Sequence, residues 1–412
     1  MFQTQNSRIA STLNKPLNLS LALWIPRRVR IENRGIHFHM QHFAYVIVGA
    51  GFAGAATAYH LARQGVEDVL VLEQESIPGF HASGRNAAML RQCIGEADLT
   101  KLALDGATFI RNLPDDWPEP VLFRNNGSLL LGSGAGWDKL KRDGEIGRRV
   151  GISGIAEWSP EEAIRHVPLL KEAEFDGALW CASDGVVDIH ALLSGYLKFA
   201  VSRGTKIRYN AALSGARVKP GADIELQTAD GLVSCKVLVN ASGAWANGVA
   251  HLAGARALPL RACRRHLFVS PALPWVDREW PFVWDVSHDI YFRPEGAGLL
   301  LCACDQTELL ASDPPLDESV KEMLAEKIQL YMPGLSEVSI SRGWAGLRTL
   351  TADGRFVVGW DADIAGFFWV AGLGGHGMTT SAAIGKLAAE LLIGGPGRKS
   401  VPFAPERFGA KT

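Results

Sequence analysis

The chain has 412 residues, with 42 Lys and Arg against 43 Asp and Glu for a formal net charge of −1, and 47% apolar residues. This composition excludes the collagenous, disordered and disulfide-scaffold classes and lacks the basic excess of a nucleic-acid binder. At ~150 residues per domain the length suggests two or three domains, or two large ones, and the 44 glycines exceed the ~7% usual in globular chains.

Residues 1–39 hold a short apolar run, Leu17 to Pro26, followed by Arg27, Arg28, Arg30 and Arg34. The run is too short for a bilayer span of ~20 residues, and no small-residue cleavage site follows it. The segment reads as a dispensable or mis-started extension, with a targeting segment as the alternative. No run of 18 apolar residues occurs in the chain, which argues against an integral membrane protein and leaves peripheral membrane contact open.

From Phe43 to Ala50 the chain is continuously apolar and β-branched, the pattern of a strand buried on both faces. It runs into Gly49-Ala50-Gly51-Phe52-Ala53-Gly54, then a helical stretch from Ala55 to Gln64 stopped by Gly65, then a second strand, Asp68 to Leu72, ending on Glu73 and Gln74. Strand, G-x-G-x-x-G, helix, strand and acid within about 30 residues make a dinucleotide fingerprint. Gly49 permits the tight turn, Gly51 lets backbone approach a pyrophosphate, and Gly54 lets the helix pack on the strand, whose partner Glu73 accepts from ribose hydroxyls.

The next segment, Pro78 to Leu90, is rich in small residues with Ser and Asn. Ser83, Gly84, Arg85, Asn86, Ala88 and Met89 suit packing of backbone against a flat ring system, which favours FAD over NAD. Here the chain resembles the FAD-dependent amine and amino-acid oxidoreductases of the D-amino acid oxidase type. That group includes glycine and sarcosine oxidases and D-amino acid dehydrogenases, D-arginine dehydrogenase among them.

Leu238 to Trp245 is similar to that family's V-N-A-A-G-A-W element, which implies FAD contacts from Ala241, Gly243 and Trp245. Gly346 to Gly354 and Phe367 to Met378 resemble its C-terminal flavin segment, which implies contacts from Gly346, Arg348, Gly374, Gly375, His376, Gly377, Met378 and Thr379. A small-residue helix, Thr379 to Ile393, follows, and the tail Pro402 to Phe408 matches the family's F-x-P-x-R-F ending. The implied cofactor is non-covalent FAD.

Between these motifs, Asp188 caps a helix over Ile189 to Ser202, Lys206 to Tyr209 forms a strand, and a hairpin turns at Ala229-Asp230-Gly231. Leu129–Leu131, His266–Val269 and Ile290–Arg293 read as strands, and Glu96 to Leu113 and Glu318 to Tyr331 as helices. The expected fold class is α/β and α+β: a discontinuous Rossmann-like FAD-binding domain with a parallel sheet and helices (40–92, 181–253 and 342–412), plus a substrate domain on a mixed antiparallel sheet (93–180 and 254–341). The tryptophans are expected mainly in the core or at the domain interface.

Cys93, Cys181, Cys235, Cys263, Cys302 and Cys304 show no metal-site spacing. They read as reduced thiols of a cytoplasmic protein, with Cys302 and Cys304 on one face of a strand.

An α-amino acid oxidoreductase must clamp a carboxylate, and the planar fork of Arg suits that geometry. Arg348, in the family's G-x-R position, is the first candidate. The resemblance implies Arg265 as the second clamp, with Arg264 as fallback, and Tyr291 as a hydroxyl donor to the same carboxylate. It also implies a site role for His81, either tuning amine protonation or carrying a covalent flavin; the G-R-N-A-A continuation favours the non-covalent reading.

The implied reaction is hydride transfer from the α-carbon of a D-amino acid, glycine or N-alkyl glycine to flavin N5, giving an imino acid that hydrolyses to a 2-oxo acid. Phe123 to Gly127, which would align with a pocket for basic side chains, contains no carboxylate. Implied partners are a small zwitterionic amine substrate and an electron acceptor, either O2 or a quinone; oligomeric state stays open. Oxidation of a 2-hydroxy acid or glycerol phosphate, and a non-catalytic FAD subunit of a multi-component dehydrogenase, are the alternatives.

Overall fold

The apolar strands Gln41–Val48 and Val69–Leu72 have no polar face to offer solvent, so a sheet built on them must be covered on both sides. The computed structural model describes residues 40–219, 221–398 and 402–409; the expected extension 1–39 lies outside these residues. In it, Lys206–Arg208, Val69–Leu72, Gln41–Val48, Gly231–Asn240 and Phe367–Ala371 run parallel in one eight-stranded sheet. Gly231–Asn240 changes partner along its length: its first half forms the antiparallel hairpin with Ile224–Thr228, and its last residues pair with Phe367–Ala371.

The helix Phe52–Arg63 packs against Ile189–Ser202 and Ser381–Gly394. The last of these is rich in small residues for a steric reason: a Cβ on Gly385 would lie 2.5 Å from the carbonyl oxygen of Ala56. Asp188 caps Ile189–Ser202 as expected, its carboxylate accepting from the amides of His190 and Ala191.

A second eight-stranded sheet has the order Arg342–Thr351, Leu260–Val269, Gly298–Cys302, Ile290–Glu295, Phe282–Asp285, Ser128–Gly132, Gly177–Cys181, Ile155–Trp158. All its pairs are antiparallel except Phe282–Asp285 with Ser128–Gly132. The expected mixture of a parallel helix-covered sheet and a largely antiparallel one is therefore present. Among the described residues no helix is long and apolar enough to cross a membrane.

Two local expectations need correction, and one helix escapes the sequence reading. Arg342–Thr351, assigned from sequence to the nucleotide-binding part, pairs along its whole length with Leu260–Val269 in the second sheet. Ala135–Val150 is a 16-residue helix that the sequence pattern hides behind Gly144 and Gly147. Both seat the helix closely: a Cβ at Gly144 or Gly147 would lie 2.7 Å from Leu179 Cδ1 or Ile155 Cδ1 respectively, and the helix forms despite their poor helix propensity. Finally, Cys302 ends its strand, and Cys304 lies beyond it with φ +53°, so the two do not share a strand face.

His60, on Phe52–Arg63, has a buried Nε2 with no hydrogen-bond partner. Burial, helped by Lys386, pushes its pKa down to about 4 from 6.5, against an opposing contribution from the Ala382 carbonyl. The unfolded chain takes up this proton first, so His60 contributes stability above pH 6.5 that is lost as pH falls toward 4. In His60→Gln the fall in Tm over that window should be shallower than in wild type, read by scanning calorimetry across the range; an unchanged slope would exclude His60 as the source.

Candidate active site

The parallel strands end in register, Val48 beside Leu72 and Asn240, and a deep concavity opens beyond these carboxyl ends, where open α/β sheets bind ligands. The cavity is about 680 Å³, within the ~300–1,000 Å³ of small-molecule sites, and it extends onto the second sheet.

Gly49, Gly51, Phe52 and Ala53 line its first part. Gly49 has φ +105° and a Cβ there would lie 2.6 Å from the Ala241 carbonyl oxygen. A Cβ on Gly51 would lie 2.8 Å from Ser83 Oγ, which also accepts from the Phe52 amide at 3.0 Å. The helix that starts here has no acidic residue in its first turn, leaving its positive end to an anion.

Glu73 is buried, one carboxylate oxygen accepting from the Ala50 amide at 2.8 Å and the other from the Glu75 amide at 3.0 Å. A carboxylate so fixed beside a phosphate-binding turn fits the ribose of a dinucleotide. Glu73→Gln should weaken FAD binding by about 10–100-fold, since hydrogen bonds to a charged group contribute ~1.5–3 kcal/mol; equilibrium dialysis of the flavin checks this.

Further along, Gln74, His81, Ser83, Arg85, Asn86, Met89, Ala241, Gly243 and Trp245 line the same cavity. So do Gly346, Arg348, Gly374, Gly375, His376, Gly377 and Met378. Four expected cofactor residues do not. Gly54 serves the backbone instead, a Cβ there lying 1.9 Å from the Gly49 carbonyl oxygen. Gly84 packs on the Gly79 carbonyl, Ala88 takes a left-handed turn with φ +58°, and the Thr379 carbonyl abuts Gly106.

His81 is tied to the first-sheet side of the cavity. Its Nε2 lies 2.8 Å from a Glu75 carboxylate oxygen and 3.2 Å from Gln74 Nε2, with its ring 4.5 Å from that of Trp245. Arg265, Tyr291 and Arg348 form a separate group on the second sheet. Arg265 stands opposite Gly346 and Arg348 opposite Cys263, so the two arginines sit diagonally on one sheet face. Both Nε atoms are buried without a hydrogen-bond partner. Arg348 Nη2 donates to Gln306 at 3.0 Å, and Arg265 Nη1 lies 3.8 Å from Cys302 Sγ. Strand alternation sends Arg264 the other way, where it pairs with Asp317 at 2.6 Å.

Tyr291 is buried, and desolvation raises its pKa, keeping the hydroxyl protonated as a donor. Burial also pushes the Cys302 thiol up, but donation from Cys304 and the charge of Arg265 outweigh it and bring its pKa to about 6. His376 is pushed down to about 3 by burial, with Arg91 and Arg348 adding to the effect, so it is neutral at working pH. Among the lining residues that escape the sequence reading are Arg91 and Trp284. The only signal for Arg91 is a charge directly after the apolar pair Met89–Leu90.

The sequence profile of the FAD dependent oxidoreductase (DAO) family matches residues 44–391. The chain belongs to this family. It is an FAD-dependent oxidoreductase, and the glycine turn, the fixed carboxylate of Glu73 and the uncharged helix start fit that cofactor.

It is 29% identical to the sarcosine oxidase subunit beta of Rhizobium meliloti (strain 1021) over 382 residues, 89% of this chain and 88% of that one. It is 28% identical to the 4-methylaminobutanoate oxidase (formaldehyde-forming) of Paenarthrobacter nicotinovorans over 383 residues, 89% of this chain but 46% of that one. The chain thus spans about half the length of some curated relatives. Among solved structures, the L-proline dehydrogenase of P. horikoshii superposes with a TM-score of 0.79 at 22% identity, covering 90% of this chain and 98% of that one. The fold of this oxidoreductase is therefore that of known flavoenzymes.

Proposed function

We propose that this FAD-dependent oxidoreductase oxidises the C–N bond of a small amino acid, with the amine primary or N-alkylated. The observation that carries this reading is the diagonal pair Arg265 and Arg348, whose buried Nε atoms lack partners on the wall of the cavity that holds the glycine turn. Two planar donor forks on one face suit a carboxylate, and Tyr291 adds a neutral hydroxyl donor beside them. The names of the relatives, which act on sarcosine and 4-methylaminobutanoate, support an amine substrate.

FAD, when bound, supplies the acceptor for the hydride leaving the α-carbon, and the imino acid left behind hydrolyses in water to a 2-oxo acid. The chain's own part is to hold the carboxylate with Arg265 and Arg348, to orient the α-carbon through that grip, and to line the reaction space with apolar groups that exclude water. His81, fixed by Glu75 and Gln74, is assigned to hold the cofactor's side of the cavity without a covalent bond. Acid precipitation should accordingly leave the flavin in the supernatant; yellow colour in the pellet would reverse this assignment. Six buried, unpaired cysteines support a reducing, cytoplasmic setting.

The test is anaerobic bleaching of the flavin by a panel of D-, L- and N-methyl amino acids, with 2-hydroxy acids and glycerol phosphate as controls and O2 or a quinone analogue as reoxidant. Bleaching by an amine supports the proposal. Bleaching by a hydroxy acid alone, or by nothing in the panel, overturns it in favour of the alcohol-oxidising or the non-catalytic reading.

A further inference from the structure

The charge lining the cavity is one-sided. Arg91, Arg265 and Arg348 all reach it, whereas Glu73 is the one carboxylate among its lining residues, and both Glu73 oxygens are engaged by backbone amides at the glycine turn. Arg91 belongs with the second-sheet group. Its guanidinium lies over the ring of Trp284 with 4.7 Å to the centroid. Trp284 pairs directly with Tyr291 across neighbouring strands, their rings 5.2 Å apart, and its indole Nε1 is buried without a partner.

Arg91 Nε is held by the Cys93 carbonyl at 3.1 Å, while its terminal nitrogens make no hydrogen bond to any described residue. The acids behind it are already engaged. Asp184 accepts from the Gln92 amide, the Gln92 side chain and Ser128, and Asp143 pairs with Lys139 at 2.5 Å. On the cavity side His376 is neutral, and the Cys302 thiol, its pKa lowered to about 6, lies against Arg265 at 3.8 Å, with no hydrogen bond to the Arg91 guanidinium.

A zwitterionic amino acid brings no net charge to this environment. It would satisfy the Arg265–Arg348 pair and leave the terminal nitrogens of Arg91, beside Trp284, with no hydrogen-bonding acceptor, although Asp143 and Asp184 lie behind that charge; a half-buried donor left unsatisfied is costly. We infer that the substrate carries a second acid group, being an amino or imino dicarboxylate whose far carboxylate is taken by the terminal nitrogens of Arg91 over Trp284. This rests on the amine-oxidising reading above and narrows it, replacing the small zwitterion expected from sequence with a dicarboxylate that carries net negative charge.

The experiment compares near-isosteric pairs on the flavin-loaded enzyme: glutamate with glutamine, aspartate with asparagine, and N-carboxymethylglycine with N-(carbamoylmethyl)glycine, each chiral compound in both enantiomers. The expected result is a kcat/KM at least about tenfold higher for the dicarboxylate of the best pair, the scale of one charge-assisted contact. In Arg91→Gln that ratio should collapse toward one, and Arg91→Lys should restore part of it. Calorimetric binding of glutarate against butyrate gives a readout independent of turnover: wild type should prefer glutarate by a similar factor and Arg91→Gln should not.

Equal or better turnover of the neutral partners, or a ratio unmoved by Arg91→Gln in a protein of normal flavin spectrum, overturns this inference alone and leaves amine oxidation standing. No turnover of any amine overturns both.

Discussion

Arg348→Ala is expected to yield a yellow protein with normal flavin content whose kcat/KM toward its amine substrate has fallen by about 10²–10³-fold, the loss of a bidentate charge-assisted grip. The geometry gives the reason. Arg348 lines the cavity, and its Nε is buried with no partner among the described residues. Nη2 is steadied by Gln306 at 3.0 Å, and Nη1 lies 3.2 Å from where a Cβ on Gly375 would be, so the guanidinium sits against the flavin segment with little freedom. Arg348→Lys should fall between wild type and Ala, because an ammonium supplies charge but not the planar fork. Steady-state kinetics together with flavin absorbance decides the matter; full activity of Arg348→Ala on every amine would remove the residue from the site.

The second large effect is expected on the cofactor rather than the substrate. In Gly54→Ala the new methyl would stand 1.9 Å from the carbonyl oxygen of Gly49 and 3.1 Å from Ile47 Cγ2. The helix start and the strand it follows must move apart, which displaces the turn that brings Gly51 to the phosphates. Overpacking of this kind costs about 1–3 kcal/mol in the protein alone, and retention of FAD should fail as well. Purified Gly54→Ala should therefore be colourless with a lowered Tm. A yellow variant of wild-type Tm would mean that the close approach of Gly54 to Gly49 is not needed.

These two residues also mark what can be read from sequence. The fingerprint is legible because its parts follow one another within a short stretch of chain, even though its glycines answer contacts from the Gly49 carbonyl, the Ser83 hydroxyl and the distant Ala241 carbonyl, and the strand before it is too apolar for any other place. Arg348 is legible only through the family's spacing, and Arg265 only as one of two adjacent arginines that strand alternation then separates. Arg91 is not legible, since its meaning comes from Trp284, nearly two hundred positions away in the chain. Similarly, the helix Ala135–Val150 is concealed by glycines whose purpose is the close seat against Leu179 and Ile155, and the left-handed turn at Cys304 breaks a strand that composition alone would continue.

The pairing of Leu260–Val269 with Arg342–Thr351 has a further consequence. The separation of Arg265 from Arg348 is dictated by main-chain hydrogen bonds, and a slip of one residue would turn either side chain to the opposite face. On the proposed reading, recognition of the part common to all amino acids would thereby be insulated from mutation elsewhere in the cavity. Arg91, just past Met89–Leu90, and Trp284, on the interior strand Phe282–Asp285, reach the same space from outside that strand pair and can be exchanged without touching that ruler. A lineage built this way can change its diet through the distal wall while the fixed pair goes on measuring the same carboxylate.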